Sequence, residues 1–367
     1  MNNFSTIYKN IDKVLCGIVA ILGIISVLMI GSTSISTNFF SRSTIVQIVA
    51  YVIGIISIII FMKFNYTVFK GFERQLYVLS IITLLLVYIP GLGVEQFGAR
   101  SWINLGVTTV QPSEVVKIFY ILILAGYFEK HKDELYNFKC LIKSAMVAAP
   151  IILVVLKEDL GSALVFAAIW VVMVFYAGVS IKAFAKFFAL VLAAIPVSYV
   201  FMADYQRERI EAFLHPENLS LAGNYQVWQS KVAIGSGGIF GKGLFKGTQK
   251  ELEFIPVQTS DFIFSVIGEE LGLIGGVFVI GLLGALLIRM MKIVHDALDF
   301  YGALIVAGII GMFTFQIFEN IAMTMGLMPV TGITLPFLSY GGSSIVSNML
   351  ALALVLNIAA RSKRINF

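Results

Sequence analysis

The chain has 367 residues, of which 59% are hydrophobic and only 13% are charged, and its mean hydropathy is +0.92. Because soluble domains carry about 25% charged residues, this composition excludes a soluble fold. The net charge of +5 favours loop lysines that set membrane topology over binding to nucleic acid. The apolar runs lack the alternation of a membrane barrel, and helices satisfy their own backbone hydrogen bonds in lipid, so the predicted class is an all-α polytopic membrane protein.

Apolar runs between charged breaks predict about ten transmembrane helices. They cover residues 12–31, 44–62, 76–90, 113–129, 141–156, 159–178, 183–201, 261–289, 299–325 and 334–360. The eighth run is long, and its glycines Gly268, Gly272, Gly275 and Gly276 predict a bend or close helix packing. Since no internal repeat interrupts this plan, residues 1–367 are predicted to form a single membrane domain with one large loop at about 202–260.

The distribution of Lys and Arg orients these helices. With the N-terminus in the cytoplasm, sixteen of these residues lie on the inner side: Lys9, Lys13, Lys63, Lys70, Arg74, Lys130, Lys132, Lys139, Lys143, Lys182, Lys186, Arg289, Lys292, Arg361, Lys363 and Arg364. The short outer connections hold three, which are Arg42, Arg100 and Lys157. Both termini are therefore predicted to be cytoplasmic, and the 202–260 loop to be extracytoplasmic.

Ionisable residues at or near membrane depth are costly and often functional. This topology places Arg100, Glu114, Lys117, Asp159 and Asp261 at the outer ends of helices. Four of the five have a simpler explanation, because Glu114 and Lys117 share a helix face and could neutralise each other, while the two aspartates could cap helix N-termini. The whole cluster exceeds what capping requires, so it predicts a functional site at the outer face.

Three further features have more open interpretations. Glu319 and Asn320 in the ninth run could line a cavity or hold a helix contact. The glycine-rich stretch at 235–243 lacks the Walker spacing, which disfavours nucleotide binding. The stretch 328–344 has two prolines and three glycines, and such a broken backbone is tolerated at membrane depth only where it is buried in protein or lines a cavity.

The stretch Gly-Leu-Met-Pro-Val-Thr-Gly-Ile-Thr-Leu-Pro-Phe-Leu-Ser-Tyr-Gly-Gly-Ser-Ser at 326–344 resembles the signature of the SEDS family, named for shape, elongation, division and sporulation. Also similar to the family are Gln111-Pro-Ser-Glu114 with Lys117, Asp159-Leu-Gly161, Tyr225-Gln226 with Gln229-Ser230, Gly235-Ser-Gly-Gly238, and Asp261-Phe-Ile-Phe264 with Glu269-Glu-Leu-Gly272. Gly241-Lys-Gly243 with Lys246-Gly-Thr-Gln249 is similar to elongation members more than to division members, and the sporulation branch stays open.

This resemblance implies a peptidoglycan glycosyltransferase that polymerises lipid II at the outer face of the cytoplasmic membrane during cell elongation. It implies partnership with a class B penicillin-binding protein transpeptidase and other membrane proteins of the elongation complex. Asp261 is the expected general base, since a sugar hydroxyl must lose a proton as it attacks an anomeric carbon. Glu114 and Asp159 are expected to orient Lys117 and shape the catalytic site. The expected substrate-binding residues are Arg100, Arg207, Gln111, Gln229 and Ser343.

The departing pyrophosphate needs positive charge. The candidates are Lys117, Arg100 and Arg207, or a divalent cation such as Mg²⁺ or Mn²⁺ held by carboxylates.

Two alternatives remain at this stage: a lipid II flippase and a structural scaffold of the cell-wall synthesis complex. Ionisable groups of a translocation path are distributed through the depth of the membrane. Because those of this chain crowd one end, the pattern favours surface chemistry over transport. A scaffold would need no polar cluster.

Overall fold

The computed structural model describes residues 10–33, 39–96, 99–104, 106, 109–200, 202, 204–221, 223–248 and 257–362. Within them the chain is helical over most of its length. The helices are α1 (Lys13–Thr33), α2 (Arg42–Phe61), α3 (Glu73–Leu85), α4 (Pro112–Lys130), α5 (Phe138–Glu158), α6 (Leu160–Tyr176), α7 (Ile181–Val200), α8 (Asp204–Leu214), α9 (Asn224–Gly237), α10 (Ile263–Asp296), α11 (Phe300–Thr324) and α12 (Gly342–Ser362). This architecture confirms the predicted all-α membrane class.

A helix occupies each of the ten predicted apolar runs, and α8 and α9 lie in the predicted outer loop. Six helices in the described ranges are long and apolar enough to cross a membrane, namely α1, α2, α5, α10, α11 and α12. The count of ten spans stays a prediction for the other four. The basic residues Lys9, Lys363 and Arg364 lie outside the described residues.

The predicted start of the last span at residue 334 is wrong, because α12 begins at Gly342. Residues 334–341 turn instead of forming a helix: the backbone N–H of Leu335 donates to Ser339 Oγ at 2.8 Å, and Phe337 has a left-handed φ of 62°. The third run also ends early, since α3 stops at Leu85 and continues as a 3-10 turn at Leu86–Tyr88.

A small antiparallel sheet, absent from the sequence prediction, lies in the connection between α3 and α4. Its order is β1 (Gly93–Gln96), β2 (Ala99–Asn104) and β3 (Thr109–Val110). Gly93 pairs with Ile103, and Ile103 pairs with Val110. These strands are too short to give a periodic signal in the sequence, and they carry Arg100 to the C-terminal end of α5.

The predicted bend in the eighth run is confirmed at Gly272, whose φ of 66° and ψ of −164° interrupt α10. A Cβ at this position would lie 2.3 Å from the backbone nitrogen of Gly241. The interruption separates a buried segment at 263–271 from a segment at 273–296 that is long enough by itself to cross a bilayer. The residues following Asp261 are therefore packed inside the protein and do not face lipid.

The centre of the bundle is formed by α11 and α12, in which most residues are buried, whereas α2 is largely exposed. Small residues let the helices approach closely. A Cβ at Gly308 of α11 would lie 2.8 Å from the sulfur of Met173 in α6, and one at Gly54 of α2 would lie 2.5 Å from Met349 in α12. The connection between α11 and α12 is thus held between two rigid central helices.

Candidate functional site at the outer helix ends

The connection at 325–341, here named the signature segment, is anchored by helices remote in sequence. Ser26 of α1 donates to the carbonyl of Leu338 at 2.8 Å, and Gln47 of α2 donates to the carbonyl of Ser339 at 3.1 Å. The backbone N–H of Tyr340 donates to the carbonyl of Thr259 at 2.8 Å. These bonds satisfy the irregular backbone inside the protein, as a broken segment at this depth requires, and they fix it against the residues that precede Asp261.

Asp261 lies in a turn immediately before α10, with its side chain half-buried. Its Oδ1 accepts a hydrogen bond from Ser260 Oγ at 2.9 Å, and its carbonyl accepts one from Asn320 Nδ2 at 2.9 Å. A Cβ at Gly332 of the signature segment would lie 3.5 Å from Asp261 Oδ2. The helix has Phe262 at its N-cap position and no side-chain cap, so the capping interpretation of Asp261 is wrong.

The surroundings of Asp261 change its proton affinity. The pKa of its carboxyl is raised from 3.8 to about 6, mainly by burial. The Ser260 hydrogen bond and the Arg209 guanidinium act to lower this pKa, and the negative charge of Asp159 acts to raise it. A carboxylate with such a pKa is mostly ionised at neutral pH yet holds a proton more readily than an ordinary aspartate. These are the properties of a general base.

Asp159 joins α6 to α4. It caps α6, because Ser162 donates its backbone N–H to Oδ1 at 3.1 Å and its hydroxyl to Oδ2 at 2.6 Å. The capping interpretation of Asp159 is therefore confirmed. Its Oδ2 also accepts from Gln111 Nε2 at 2.9 Å. A Cβ at Gly161 would lie 2.6 Å from the carbonyl oxygen of Thr331, so the first turn of α6 packs directly on the signature segment.

Glu114 and Lys117 form the ion pair expected from their spacing. Lys117 Nζ lies 2.9 Å from Glu114 Oε1, and both side chains are buried. Ser347 of α12 donates to the carbonyl of Glu114 at 2.6 Å. The buried Glu114 Oε2 accepts no hydrogen bond from the described residues. The pair is a polar element of the bundle core with one oxygen still able to accept.

The other predicted residues occupy different parts of the predicted outer face. Arg100 lies in β2, where its backbone N–H donates to Glu158 Oε2 at 3.0 Å, and it lines a cavity together with Asp159. Arg207 lies on α8, 3.9 Å from Asp204. Gln229 is half-buried on α9, and Ser343 is half-buried in the first turn of α12. The structure thus brings Arg100 and Gln111 to Asp159, and it places Arg207 beside Asp204.

Arg209 is the functional candidate that the sequence prediction missed. Its Nη1 donates to the carbonyl of Thr331 at 3.2 Å, and its charge acts on Asp261. Successive helical residues are rotated by about 100°, so Arg207 and Arg209 point to nearly opposite sides of α8. From the sequence, either arginine could act at the site. The way α8 packs on the signature segment determines that Arg209, and not Arg207, acts on Asp261.

Glu319 and Asn320, whose role was left open, both support the signature segment. The hydroxyl of Thr331 donates to Glu319 Oε1, and Asn320 Nδ2 bridges the carbonyls of Asp261 and Ile333 at 2.9 Å and 2.7 Å. The sequence feature that drew attention to these two residues was their position within a predicted membrane span. The structural alternative is supported in a different form, because both residues contact non-helical backbone next to Asp261 and not another helix.

Glu269 and Glu270 hold the outer loop instead of facing Asp261. Glu269 Oε1 lies 2.7 Å from Lys242 Nζ. Glu270 accepts from the backbone N–H of Phe245 at 3.1 Å and from the hydroxyl of Ser32 at 2.6 Å. The glycine-rich stretch therefore packs on the bend of α10. Gln249 of the elongation-like motif and residues 250–256 lie outside the described residues.

A divalent cation would need carboxylate ligands near Asp261. Within the described ranges no group of three or more His, Cys, Asp or Glu side chains is placed to hold a metal ion. Mg²⁺ is commonly bound by one or two carboxylates, with water and substrate phosphates as its other ligands. Asp261 could supply such a ligand, whereas Asp159 already accepts from Ser162 and Gln111.

Comparisons with known proteins agree with this architecture. A family model described as a cell cycle protein, covering FtsW, RodA and SpoVE, matches residues 12–364. The chain is 37% identical over 313 residues to the stage V sporulation protein E of Bacillus subtilis, with 85% of each chain covered. It is 37% identical over 345 residues to a probable peptidoglycan glycosyltransferase FtsW of Trichlorobacter lovleyi, covering 93% of this chain and 90% of that protein. It is 34% identical over 314 residues to the peptidoglycan glycosyltransferase MrdB of Escherichia coli, covering 85% and 84%.

Solved structures show the same fold. A chain from a study of how a peptidoglycan synthase complex coordinates polymerization and crosslinking superposes with a TM-score of 0.82 at 29% identity, covering 96% of this chain and 99% of that chain. The rod shape determining protein RodA of Thermus thermophilus gives a TM-score of 0.70 at 28% identity, covering 96% and 98%. With the matching family model, these similarities establish that the chain belongs to the FtsW, RodA and SpoVE family of cell cycle proteins, the SEDS family.

Proposed function

We propose that this chain is a peptidoglycan glycosyltransferase that polymerises lipid II into glycan strands, with Asp261 as its general base. Relatives bearing the names FtsW, MrdB and RodA are peptidoglycan glycosyltransferases. The observation that carries the assignment of the base is the environment of Asp261. Its carboxylate is half-buried, does not cap α10, has a pKa of about 6 and lies beside the signature segment.

The reaction requires one proton transfer and one displacement. The acceptor sugar hydroxyl passes its proton to Asp261 while its oxygen forms a bond to the anomeric carbon of the donor sugar. The bond from that carbon to the pyrophosphate oxygen breaks, and the pyrophosphate leaves with the electron pair. Arg209 is positioned to stabilise the departing charge, because its guanidinium is held by Thr331 and acts on Asp261.

The remaining predicted residues take supporting roles in this proposal. Gln111 and Asp159 hold the starts of α4 and α6 together, and Arg100 extends this group along the neighbouring cavity. Glu114 orients Lys117 through their buried pair. Arg207, Gln229 and Ser343 stay proposed substrate-binding residues. If a divalent cation takes part, Asp261 and the pyrophosphate would supply ligands, and the ion would neutralise charge on the leaving group.

The site is proposed to face the outside of the cytoplasmic membrane, where the loop charges place it. The synthase complex of the structural neighbour couples polymerization with crosslinking. A class B penicillin-binding protein transpeptidase is the proposed partner of this chain, together with other membrane proteins of the elongation complex. The elongation role itself rests on the Gly241-Lys-Gly243 and Lys246-Gly-Thr motif.

The experiment is a polymerisation assay with labelled lipid II, in which the purified Asp261→Ala variant is compared with wild type, each with its transpeptidase partner. We expect a folded protein that makes no glycan polymer. Asp204→Ala is the matched control, because Asp204 is an exposed carboxylate on α8 and its loss should leave polymerisation unchanged. Full polymerisation by Asp261→Ala would refute the base assignment. Lipid II transfer across liposomes without polymer formation by the wild type would instead support transport.

A further inference from the structure

A groove, here named the loop groove, opens between the two loop helices and the signature segment. Its lining includes Arg209 and Phe213 of α8, Val227 and Lys231 of α9, and Val330 of the signature segment. It is distinct from the cavity that Arg100 and Asp159 line. Nothing in the proposed mechanism so far uses Lys231.

The charge of the loop groove has one sign. Arg209 and Lys231 line it, and none of the described residues that line it is acidic. Lys231 Nζ lies over the ring of Trp228, 5.9 Å from its centroid. The same Nζ would be 3.5 Å from a Cβ at Gly326, so the absence of a side chain there leaves room for the ammonium group. Two cations, with no carboxylate among the described lining residues, favour an anionic ligand.

The rest of the lining is apolar. Phe213, Val227 and Val330 contribute aromatic and aliphatic surface, joined by Met328 and Pro329. A free anion would gain nothing from this surface, whereas a phosphate attached to a hydrocarbon would use both halves of the groove. The composition therefore fits the junction between a charged headgroup and a lipid chain.

The groove is held rigidly at the level where such a junction would lie. Ser230 of α9 donates to the carbonyl of Thr324, the last residue of α11, at 2.6 Å, and its hydroxyl meets that of Ser265 at 2.6 Å. Asn224 ties the start of α9 to the carbonyls of His215 and Asn218, both at 2.9 Å. Because α11 is a spanning helix that ends at Thr324, the groove lies at the predicted outer headgroup layer.

Arg209 connects the groove to the catalytic site. It lines the groove, donates to the carbonyl of Thr331 and lowers the pKa of Asp261 by its charge. A phosphate bound between Lys231 and Arg209 would therefore contact the arginine whose charge acts on Asp261.

We propose that the loop groove binds the pyrophosphate of a polyprenyl-linked substrate or product, with the first isoprene units on Phe213, Val227 and Val330. The identity of the carrier rests on the proposed function, while the anionic lipid chemistry rests on the groove itself. Lys231 is the residue that distinguishes this site, because it lines the groove and is absent from every contact described around Asp261.

The test measures binding of undecaprenyl pyrophosphate to the purified protein in phosphatidylcholine nanodiscs. The Asp261→Asn background removes turnover from the measurement. Lys231→Gln should raise the Kd about tenfold, as the loss of one charge-assisted hydrogen bond predicts. Lys231→Arg should restore binding. Lys246→Gln is the matched control, since Lys246 is an exposed lysine of the same loop outside the groove, and it should bind like the parent. Equal Kd values for Lys231→Gln and Lys246→Gln would overturn the proposal.

A second arm separates the two sources of a lipid phosphate. Phosphatidylglycerol added to the nanodiscs should compete only weakly if the groove selects a pyrophosphate. If Lys231→Gln weakens the binding of phosphatidylglycerol but not of undecaprenyl pyrophosphate, the polyprenyl assignment is overturned.

Failure of this inference can be distinguished from failure of the proposed function. In the catalytically competent protein, Lys231→Gln should raise the KM for lipid II with little change in kcat. Normal polymerisation by wild type with no effect of Lys231→Gln on Kd or KM would remove the groove site and leave the glycosyltransferase intact. If the wild type does not polymerise lipid II but binds polyprenyl pyrophosphate in a manner that depends on Lys231, the glycosyltransferase proposal fails and the groove site stands.

Discussion

The isosteric change Asp261→Asn tests both the chemistry and the electrostatics of the site. The amide cannot accept a proton from the sugar hydroxyl, and positioned general bases contribute about 10²- to 10⁴-fold to rates. We therefore expect polymerisation to fall by at least about 100-fold. In the wild type, the rate should rise with pH through about 6, the pKa that burial imposes on Asp261.

The same pKa predicts an opposite effect on stability. Because the pKa rises from 3.8 to about 6 on folding, the folded state binds the proton more tightly than the unfolded state. The ionised carboxylate therefore costs stability above about pH 6, and this cost disappears below about pH 4. A difference of about two pH units corresponds to at most about 3 kcal/mol. Asp261→Asn should accordingly raise the Tm at pH 7.5 by a few degrees and leave it unchanged at pH 4.

Thermal unfolding in detergent at both pH values, together with lipid II polymerisation across pH 5–8, measures these effects. Asp204→Asn serves as the control, because its side chain is exposed on α8 and should change neither quantity. An Asp261→Asn variant that polymerises at the wild-type rate would refute the assignment of the base. A wild-type rate that is flat through pH 6, or a variant less stable than wild type at pH 7.5, would refute the electrostatic reasoning.

Three further outcomes follow from contacts elsewhere in the bundle. Glu114→Gln and Lys117→Met should each lower stability by about 3–5 kcal/mol because each leaves a buried charge unpaired, and the double variant should recover most of that loss in thermal unfolding. A double variant that is less stable than the more stable of the two single variants would contradict a self-neutralising pair. Gly272→Ala should destabilise the protein by about 1–3 kcal/mol or more, since the φ of Gly272 is +66° and a Cβ there would meet Gly241. The control Gly281→Ala should be neutral or mildly stabilising, because a Cβ at Gly281 meets nothing within 4 Å. Equal Tm values for the two variants would contradict the account of the bend. Asp159→Asn preserves the cap of α6 but removes a charge that raises the pKa of the general base, so the acidic limb of the rate profile should move to lower pH, and movement to higher pH would disprove this coupling.

Much of the fold was predictable because lipid imposes simple rules on sequence. Apolar run length gave the positions of the helices, and the glycines of the eighth run gave the bend that occurs at Gly272. Helix boundaries were less accurate where the backbone is irregular. The start of α12 shifted to Gly342 because the bonds that hold residues 334–341 come from Ser26 and Gln47, which are remote in sequence.

The candidate site divides in the same way. The i, i+3 spacing of Glu114 and Lys117 was sufficient to predict their pair, because both residues lie on one helix. The same local reasoning offered capping for both aspartates. Only tertiary structure separates them, since Asp159 caps α6 while Asp261 lies in a turn held by Asn320.

The sequence by itself determined the membrane class, the positions of the helices and the family, because hydropathy and contiguous motifs are properties of the chain. Tertiary structure decided which polar groups meet. Arg209 acts on Asp261 and Arg207 lies beside Asp204, although the two arginines are neighbours in sequence, because α8 docks one face onto the signature segment. The packing of α8 depends on contacts between residues far apart in the chain, so it cannot be predicted from the sequence pattern of the loop alone.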